Sequence, residues 1–315
     1  MLKQWKVFLA ILAALGLCAL PSMAAGSAIP GMLNYVEGQA SVDGRAVTAK
    51  SVGAVQLEPG QVLETGQGRA EILLTPGIFV RIGDNSAVRM VSPNLTDTRV
   101  EVLRGEAIVE ANYVLKDSNI NVMLNGSSTK LEKHGLYVFN ANSGQVSVLD
   151  GKAVVQQDDH TVDLTKGHQI ILAAGLKKHS FDTKAVEQQD PLYAWSRLRS
   201  EYDAEATMQT ASTVVVGGLG WWGPGWYWNP WWGMYSFLPG AGYLYSPFGW
   251  PYYSPGFIYS PGFRYGYRFG GRGFVGRGFG GNGFARDGGI AAAPHFSGGF
   301  GGGGGFHGGG GGGRR

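Results

Sequence analysis

Ala70-Glu71-Ile72-Leu73-Leu74, then Thr75-Pro76-Gly77, then Ile78-Phe79-Val80-Arg81-Ile82: these thirteen residues decide the fold class. Two short runs of aliphatic and β-branched residues flank a Pro-Gly corner, which reads as a β-hairpin. Outward from it the same pattern returns at Val100-Glu101-Val102-Leu103, Gly135-Leu136-Tyr137-Val138-Phe139 and Val146-Ser147-Val148-Leu149. Gly83-Asp84-Asn85, Asn125-Gly126 and Asn142-Ser143-Gly144 supply corner residues that tolerate positive φ. Residues 25–176 therefore read as one all-β domain.

A short unit, G-x-A-x-V, recurs at Gly38-Gln39-Ala40-Ser41-Val42, Gly105-Glu106-Ala107-Ile108-Val109 and Gly151-Lys152-Ala153-Val154-Val155. A second, L-x-x-G-x-x-[LI], follows the first copy at Leu57, Gly60 and Leu63 and the third at Leu164, Gly167 and Ile170. The copies are unequally spaced, which argues against a strict solenoid. The fold class expected is all-β, with stacked β-hairpins forming a sandwich or roll, one C-terminal amphipathic helix and then a disordered Gly/aromatic-rich tail.

Leu57-Glu58-Pro59-Gly60-Gln61-Val62-Leu63-Glu64-Thr65-Gly66 leads into Gly68-Arg69-Ala70-Glu71-Ile72-Leu73-Leu74. With Val80-Arg81-Ile82-Gly83-Asp84-Asn85-Ser86 and Val100-Glu101-Val102-Leu103-Arg104-Gly105-Glu106-Ala107, these stretches resemble the FecR domain family. The resemblance covers residues 33–156 and implies a mostly-β module outside the cytoplasmic membrane, with no inherited catalytic residues. The family's namesakes, iron-transport regulators, carry a cytoplasmic anti-sigma segment and a membrane helix ahead of this domain. Here only six residues precede the first apolar run, so a direct grip on a cytoplasmic sigma factor is not expected.

That run explains itself differently. Lys3 and Lys6 precede apolar residues from Val7 to Leu20, followed by Pro21 and Ser22-Met23-Ala24. This is the form of a secretory signal peptide over 1–24, too short as a helix for a bilayer of about 30 Å. Its removal takes Cys18, the single cysteine, and leaves an exported periplasmic or surface protein without disulfides or cysteine ligands. No other segment has the length of a transmembrane helix.

After the strands, Asp190-Pro191 opens a helix, aspartate at the N-cap and proline at the first turn. The helical region spans 186–210. Trp195, Leu198, Tyr202 and Ala206 form its apolar face, with Trp195 anchoring it over one end of the β core. Arg197/Glu201 and Arg199/Asp203 are i,i+4 pairs expected on the remaining, solvated surface.

From Gly217 the composition changes. The last 99 residues hold 35 of the 53 glycines, 7 of the 9 tryptophans and 8 of the 14 prolines, with seven arginines against one aspartate. Few positions there can sustain regular structure, so 217–315 is expected to be disordered. Its many rings nevertheless call for a partner. Trp221, Trp222, Trp226, Trp228, Trp231 and Trp232, with Arg264, Arg268, Arg272 and Arg277, are the candidate contacts to an envelope component: polysaccharide, lipid surface or protein. Export argues against nucleic acid, which Arg-Gly-Phe spacing would otherwise suggest.

The six histidines show no metal-ligand spacing, and no nucleophile elbow or phosphate-cradling loop occurs. Asp158-Asp159-His160 reads as a hairpin turn. No catalytic, cofactor or metal residues are assigned. The expectation is a non-enzymatic exported binding module; the alternative is a periplasmic sensor that signals through a membrane-bound partner by a sheet edge or the Trp195 helix.

Overall fold

The computed structural model of the chain describes residues 29–115, 117–216 and 223–260. The expected leader, Trp221, Trp222 and everything after Ser260 lie outside them. Fifteen strands build one sheet: β1 (Leu33–Val42), β2 (Arg45–Val47), β3 (Val62–Leu73), β4 (Ile78–Ile82), β5 (Ala87–Asn94), β6 (Asp97–Arg104), β7 (Glu106–Ala111), β8 (Asn119–Leu124), β9 (Ser127–Leu131), β10 (Gly135–Asn140), β11 (Gln145–Asp150), β12 (Lys152–Gln157), β13 (His160–Thr165), β14 (His168–Ile171) and β15 (His179–Ser180). Across the sheet the order is β13-β12-β9-β8-β6-β5-β3-β4-β7-β10-β11-β14-β15, with β1 beside β3 and β2 beside β1. Neighbours are antiparallel except β6 and β8, which run parallel.

The fold is all-β, as the hairpin pattern implies. Although β13 ends the sheet on one side, it approaches β11 and β14 from the other side. The sheet is therefore rolled, and Leu33, Ile72, Val80, Val122, Phe139 and Leu164 belong to the single aliphatic core inside it. The repeat glycines explain the sharp corners: Gly38, Gly105 and Gly151 all take positive φ, at 68°, 72° and 97°.

The central strands depart from a half-buried sheet. Strand β4 is buried at every position, and β7 at all but its first. Ala70, Ile72, Val80, Ile82 and Val109 point into the roll. Glu71, Leu73, Phe79, Arg81 and Glu110, of opposite parity, point outward and are buried too. Something must cover them.

The cover comes from two helices, α1 (Thr183–Gln189) and α2 (Pro191–Val216), and from the chain that follows them. The Asp190 carboxylate accepts from the backbone N–H of Leu192 at 2.7 Å and of Tyr193 at 3.3 Å, capping α2. Trp195 is buried with Leu192 against Ile108, Leu136 and Val138. Of the rest of the expected apolar stripe, Ala206 is buried and Tyr202 half-buried, and Leu198 is the correction. Leu198 is 44% exposed. The face toward the sheet carries Ser196, Arg199, Ser200, Asp203, Thr207 and Thr210, all buried. Arg199 and Asp203 form their i,i+4 pair, at 3.2 Å, inside the protein and not on its surface. The helix turns polar side inward because the strands beneath it present charge.

The expected disorder of 217–315 is likewise corrected for residues 223–260. Strands β16 (Gly225–Asn229) and β17 (Met234–Leu238) form one hairpin, and β18 (Tyr243–Tyr245) and β19 (Pro251–Tyr253) a second, before the single turn α3 (Pro255–Ile258). Hairpins this short are marginal alone. These have a surface to bury on: Trp226 meets Phe79 edge-on at 5.1 Å and Phe237 at 5.8 Å, and its indole N–H donates to the Leu74 carbonyl at 3.3 Å. Gly233, Gly242 and Gly249 sit between the strands at positive φ, so the glycines that suggested disorder serve as corners.

Gly105→Ala and Gly44→Ala separate backbone strain from collision. Both glycines have positive φ, but a Cβ on Gly105 would overlap Ser86 and the Asn85 carbonyl, whereas Gly44 has open space. Gly44→Ala should cost about 1 kcal/mol from backbone strain alone, and Gly105→Ala about 2 kcal/mol or more, read as urea midpoints. Equal losses would show that the corner at Gly105 is not tightly packed.

Candidate functional site

The outward faces of β3, β4 and β7 meet α2 in a cluster of charges. Glu71 and Arg81 stand opposite each other on β3 and β4, and Glu110 lies on the neighbouring β7. The Arg81 guanidinium donates from Nε to Glu71 at 2.6 Å, from Nη2 to Asp203 at 2.9 Å and from Nη1 to Glu110. All four side chains have 0% exposure. Arg199 adds contacts from Nη2 to Glu71 and Asp203, both at 3.2 Å, and lies over the Tyr35 ring at 4.1 Å.

Neutral groups connect the cluster to its cover. The Ser200 hydroxyl donates to Glu110 at 2.7 Å. The Asn34 amide donates to Glu71 at 2.8 Å, and its oxygen accepts the Tyr235 backbone N–H at 2.8 Å, which fixes β17. Tyr252, fully buried, donates to the Ser200 carbonyl at 3.4 Å. Thr207 donates to the Phe237 carbonyl at 3.0 Å, and Asn229 to Thr210 at 3.0 Å, so α2 is tied to the first hairpin along its length.

Three carboxylates face two guanidiniums, so full ionisation would leave one buried negative charge. Burial pushes the Asp203 carboxyl well above its ordinary value, repulsion from Glu71 adds to this, and Arg199 and Arg81 oppose it. Burial also works against the Glu71 charge, but there Arg199, Arg81 and the Asn34 amide win and hold its carboxyl at about 2. Burial disfavours charge on Arg81, yet Glu110, Glu71 and Asp203 keep it firmly protonated. A proton on Asp203 makes the cluster neutral. Elsewhere, burial and the nearby Asp190 push the Glu106 carboxyl up to about 7 at the seam where α2 begins.

This arrangement resembles a set of catalytic groups in composition, but the side chains of Glu71, Arg81, Glu110 and Asp203 are fully buried. Its chemistry is consumed in holding α2 and the hairpins on the sheet. Reading the sequence missed it, although two signals were there. Glu71 and Arg81 are opposite charges at matching positions of one hairpin, and Ser196, Arg199, Ser200, Asp203, Thr207 and Thr210 recur at helical spacing.

The expected ring contacts scatter. Trp226 is buried, and Trp228 packs on Tyr235 at 5.2 Å and closes over Gly53. Trp232 lies beside Tyr202 at 5.7 Å and donates to Gln209 at 2.9 Å. Trp231 alone of these four is fully on the surface, 63% exposed. Trp221, Trp222, Arg264, Arg268, Arg272 and Arg277 lie outside the described residues. Three of the four candidate tryptophans among the described residues thus pack within the body.

An open polar trough of about 500 Å³ crosses β6, β8, β9 and β12. Its groups largely satisfy one another: Asp97 pairs with Arg99 at 3.0 Å and accepts from Asn119 at 2.9 Å. Among the described residues no helix is long and apolar enough to cross a membrane.

No protein-family model matches the chain, and no curated protein matches it. Two crystal structures of a candidate anti-sigma factor from Parabacteroides distasonis ATCC 8503 are similar to it, at 20% identity and a TM-score of 0.35. They cover 41% and 43% of this chain. The chain spans 64% of the length of those proteins.

Removing the central cation should be severe. Arg81→Met leaves Glu71, Glu110 and Asp203 facing one another in a dry site, and the expected loss is about 3–5 kcal/mol by chemical denaturation. Adding Glu71→Gln and Glu110→Gln to that variant should return part of the loss. A single-variant cost below about 1 kcal/mol would show that the cluster does not hold the layers together.

The two acids should respond oppositely to pH. Asp203 has a raised carboxyl, so its contribution is complete below its ordinary value of 3.8 and declines as pH rises toward the folded value. Glu71 has a lowered one, so its contribution is present above 4.5 and disappears as pH falls toward 2. At pH 7 Asp203→Asn, which keeps one carbonyl acceptor for the two guanidiniums, should cost less than Glu71→Gln, which should cost about 3 kcal/mol. Unfolding midpoints of both variants at pH 4 and 7 test this; an Asp203→Asn cost equal to that of Glu71→Gln at pH 7 would mean that Asp203 is ionised.

Proposed function

We propose that the protein is an exported, non-enzymatic, FecR-like binding module whose arginine-rich C-terminal segment attaches it to an anionic component of the cell envelope. The observation that carries this reading is where the charge lies. The body's densest charged group is buried and satisfied internally, whereas the sequence after Ser260 carries seven arginines against one aspartate. The leader at 1–24 supports export, and the glycine and aliphatic pattern of residues 33–156 supports the family and its place outside the cytoplasm. The rolled sheet with α2 and the two hairpins is then the displayed body. Arginine spaced by glycine and aromatic residues suits phosphate- or carboxylate-bearing polymers, by charge and by ring contact.

A second reading, a sensor acting on a membrane-bound partner, has a specific surface. Trp195 itself is buried, and β13 ends the sheet with its His160, Thr161, Asp163 and Thr165 exposed. An added strand could pair there.

Co-sedimentation of the mature protein with isolated envelope tests the first reading against the quadruple variant Arg264→Ala/Arg268→Ala/Arg272→Ala/Arg277→Ala. The wild type should pellet at low salt and be released by about 0.5 M salt, where charge is screened within a few ångström, and the variant should remain in solution. Pelleting that neither salt nor the substitutions change would reject the cationic attachment and favour the β13 edge.

A further inference from the structure

The outer face of β5, β6, β8, β9 and β12 pairs its cations, with one exception. Arg89 reaches Glu101 at 3.0 Å, Arg99 reaches Asp97 at 3.0 Å, Arg104 reaches Glu64 at 3.6 Å, and Lys152 holds both Glu132 at 2.9 Å and Asp163 at 3.1 Å. Lys130 on β9 is exposed and has no carboxylate partner among the described residues. In register it stands between Asn121 of β8 and Val154 of β12, with Ser128 opposite Gln156 two residues along. Where its neighbours have acids, this cation has amides and a hydroxyl.

These residues line the polar trough of about 500 Å³, and its two ends differ. At one end Asp97, Arg99 and Asn119 bond to one another. At the other the internal bonds are long: the Ser128 hydroxyl donates to Asn121 at 3.4 Å, and the Gln156 amide to the Asp158 carbonyl at 3.4 Å. Strand alternation sends Ile120, Val122 and Leu131 into the core and so fixes Asn121, Ser128 and Lys130 on the outside. From β6 to β12 is three interstrand spacings, about 14 Å, enough for a short polymer lying across the strands. The lining has one cation in excess, groups that both donate and accept, and Val154 as its apolar member. It holds no ring on which a base would stack and little apolar area for a lipid. Amides suit adjacent hydroxyls, and an ammonium without an acid suits a carboxylate.

We propose that this trough binds a short acidic oligosaccharide lying across the strands, with a sugar carboxylate on Lys130 and neighbouring hydroxyls on Asn121, Ser128 and Gln156. The site belongs to the β roll and does not rest on the arginines that follow Ser260, so the attachment reading can fail while this one holds. An open polar site exchanges bonds to water for bonds to sugar, and the Kd expected is about 1 mM.

Titration of the isotope-labelled mature protein with a galacturonic acid trimer, followed by NMR, reads the site directly. The side-chain amide signals of Asn121 and Gln156 and the backbone signals of residues 128–130 should move and saturate with a Kd of about 1 mM. Lys130→Met should weaken binding about fivefold, the loss of one exposed charged contact. Asn121→Asp, which supplies the missing carboxylate opposite Lys130, should abolish it. Both substitutions lie on the outer face and leave the core intact, and Arg264→Ala/Arg268→Ala/Arg272→Ala/Arg277→Ala should titrate as the wild type does. Maltotriose, the neutral counterpart, should bind at least about fivefold more weakly than the acidic trimer. Signals that stay still, movement confined to residues after Ser260, or binding that Lys130→Met and Asn121→Asp leave unchanged overturns the proposal. So does equal binding of maltotriose or of inorganic tripolyphosphate, since neither is an acidic sugar.

Discussion

A guanidinium removed from water must be surrounded by acceptors, and Arg81 meets that demand with groups from two strands and a helix. Glu71 comes from β3, Glu110 from β7 and Asp203 from α2, more than a hundred residues later in the chain. Neither the sheet nor the helix completes the set alone. Until α2 docks, Arg81 lacks Asp203, and Glu110 lacks Ser200. The demand of one buried cation therefore couples the C-terminal elements to the β roll.

Buried ion pairs seldom add net stability over well-packed apolar residues, because desolvating each charge costs several kcal/mol. What this cluster supplies is position. An apolar helix face on an apolar sheet could slide or rotate with little penalty, whereas Arg199, Ser200 and Asp203 reach their partners in one register only. That register then places Thr207 and Thr210 for the first hairpin and Ser200 for Tyr252. The order of dependence runs from Arg81 to α2 and from α2 to the hairpins, with Asn34 as a direct link from the sheet to β17.

The strands were legible because alternation and glycine corners are local properties. Gly38, Gly105 and Gly151 recur in the sequence and recur as positive-φ corners in the structure. The Asp190-Pro191 start of the helix was legible for the same reason. Whether the outward face of a strand meets water or another layer is not local. Arg81 in Ile78-Phe79-Val80-Arg81-Ile82 looks like any solvated residue of a half-buried strand, and only the 122 residues that separate it from Asp203 reveal its partner. The tail misled through composition: glycine and proline counts average over the positions that matter. Trp226 and Trp228 share a side of β16, as Tyr235 and Phe237 share a side of β17, and such two-residue spacing is what a hairpin seated on a sheet requires.

The sealed cluster and the exposed stripe on α2 have a common origin. A helix has one circumference, and residues at 3- and 4-residue spacing compete for its two sides. Placing Ser196, Arg199, Ser200, Asp203, Thr207 and Thr210 inward leaves Leu198, Tyr202 and Met208 outward, so the electrostatic solution beneath α2 creates a hydrophobic problem above it. The hairpins relieve part of that problem at one point, where Trp232 leans on Tyr202. A buried charge pattern set by three strands thus determines the chemistry of a surface on the far side of the helix that seals it.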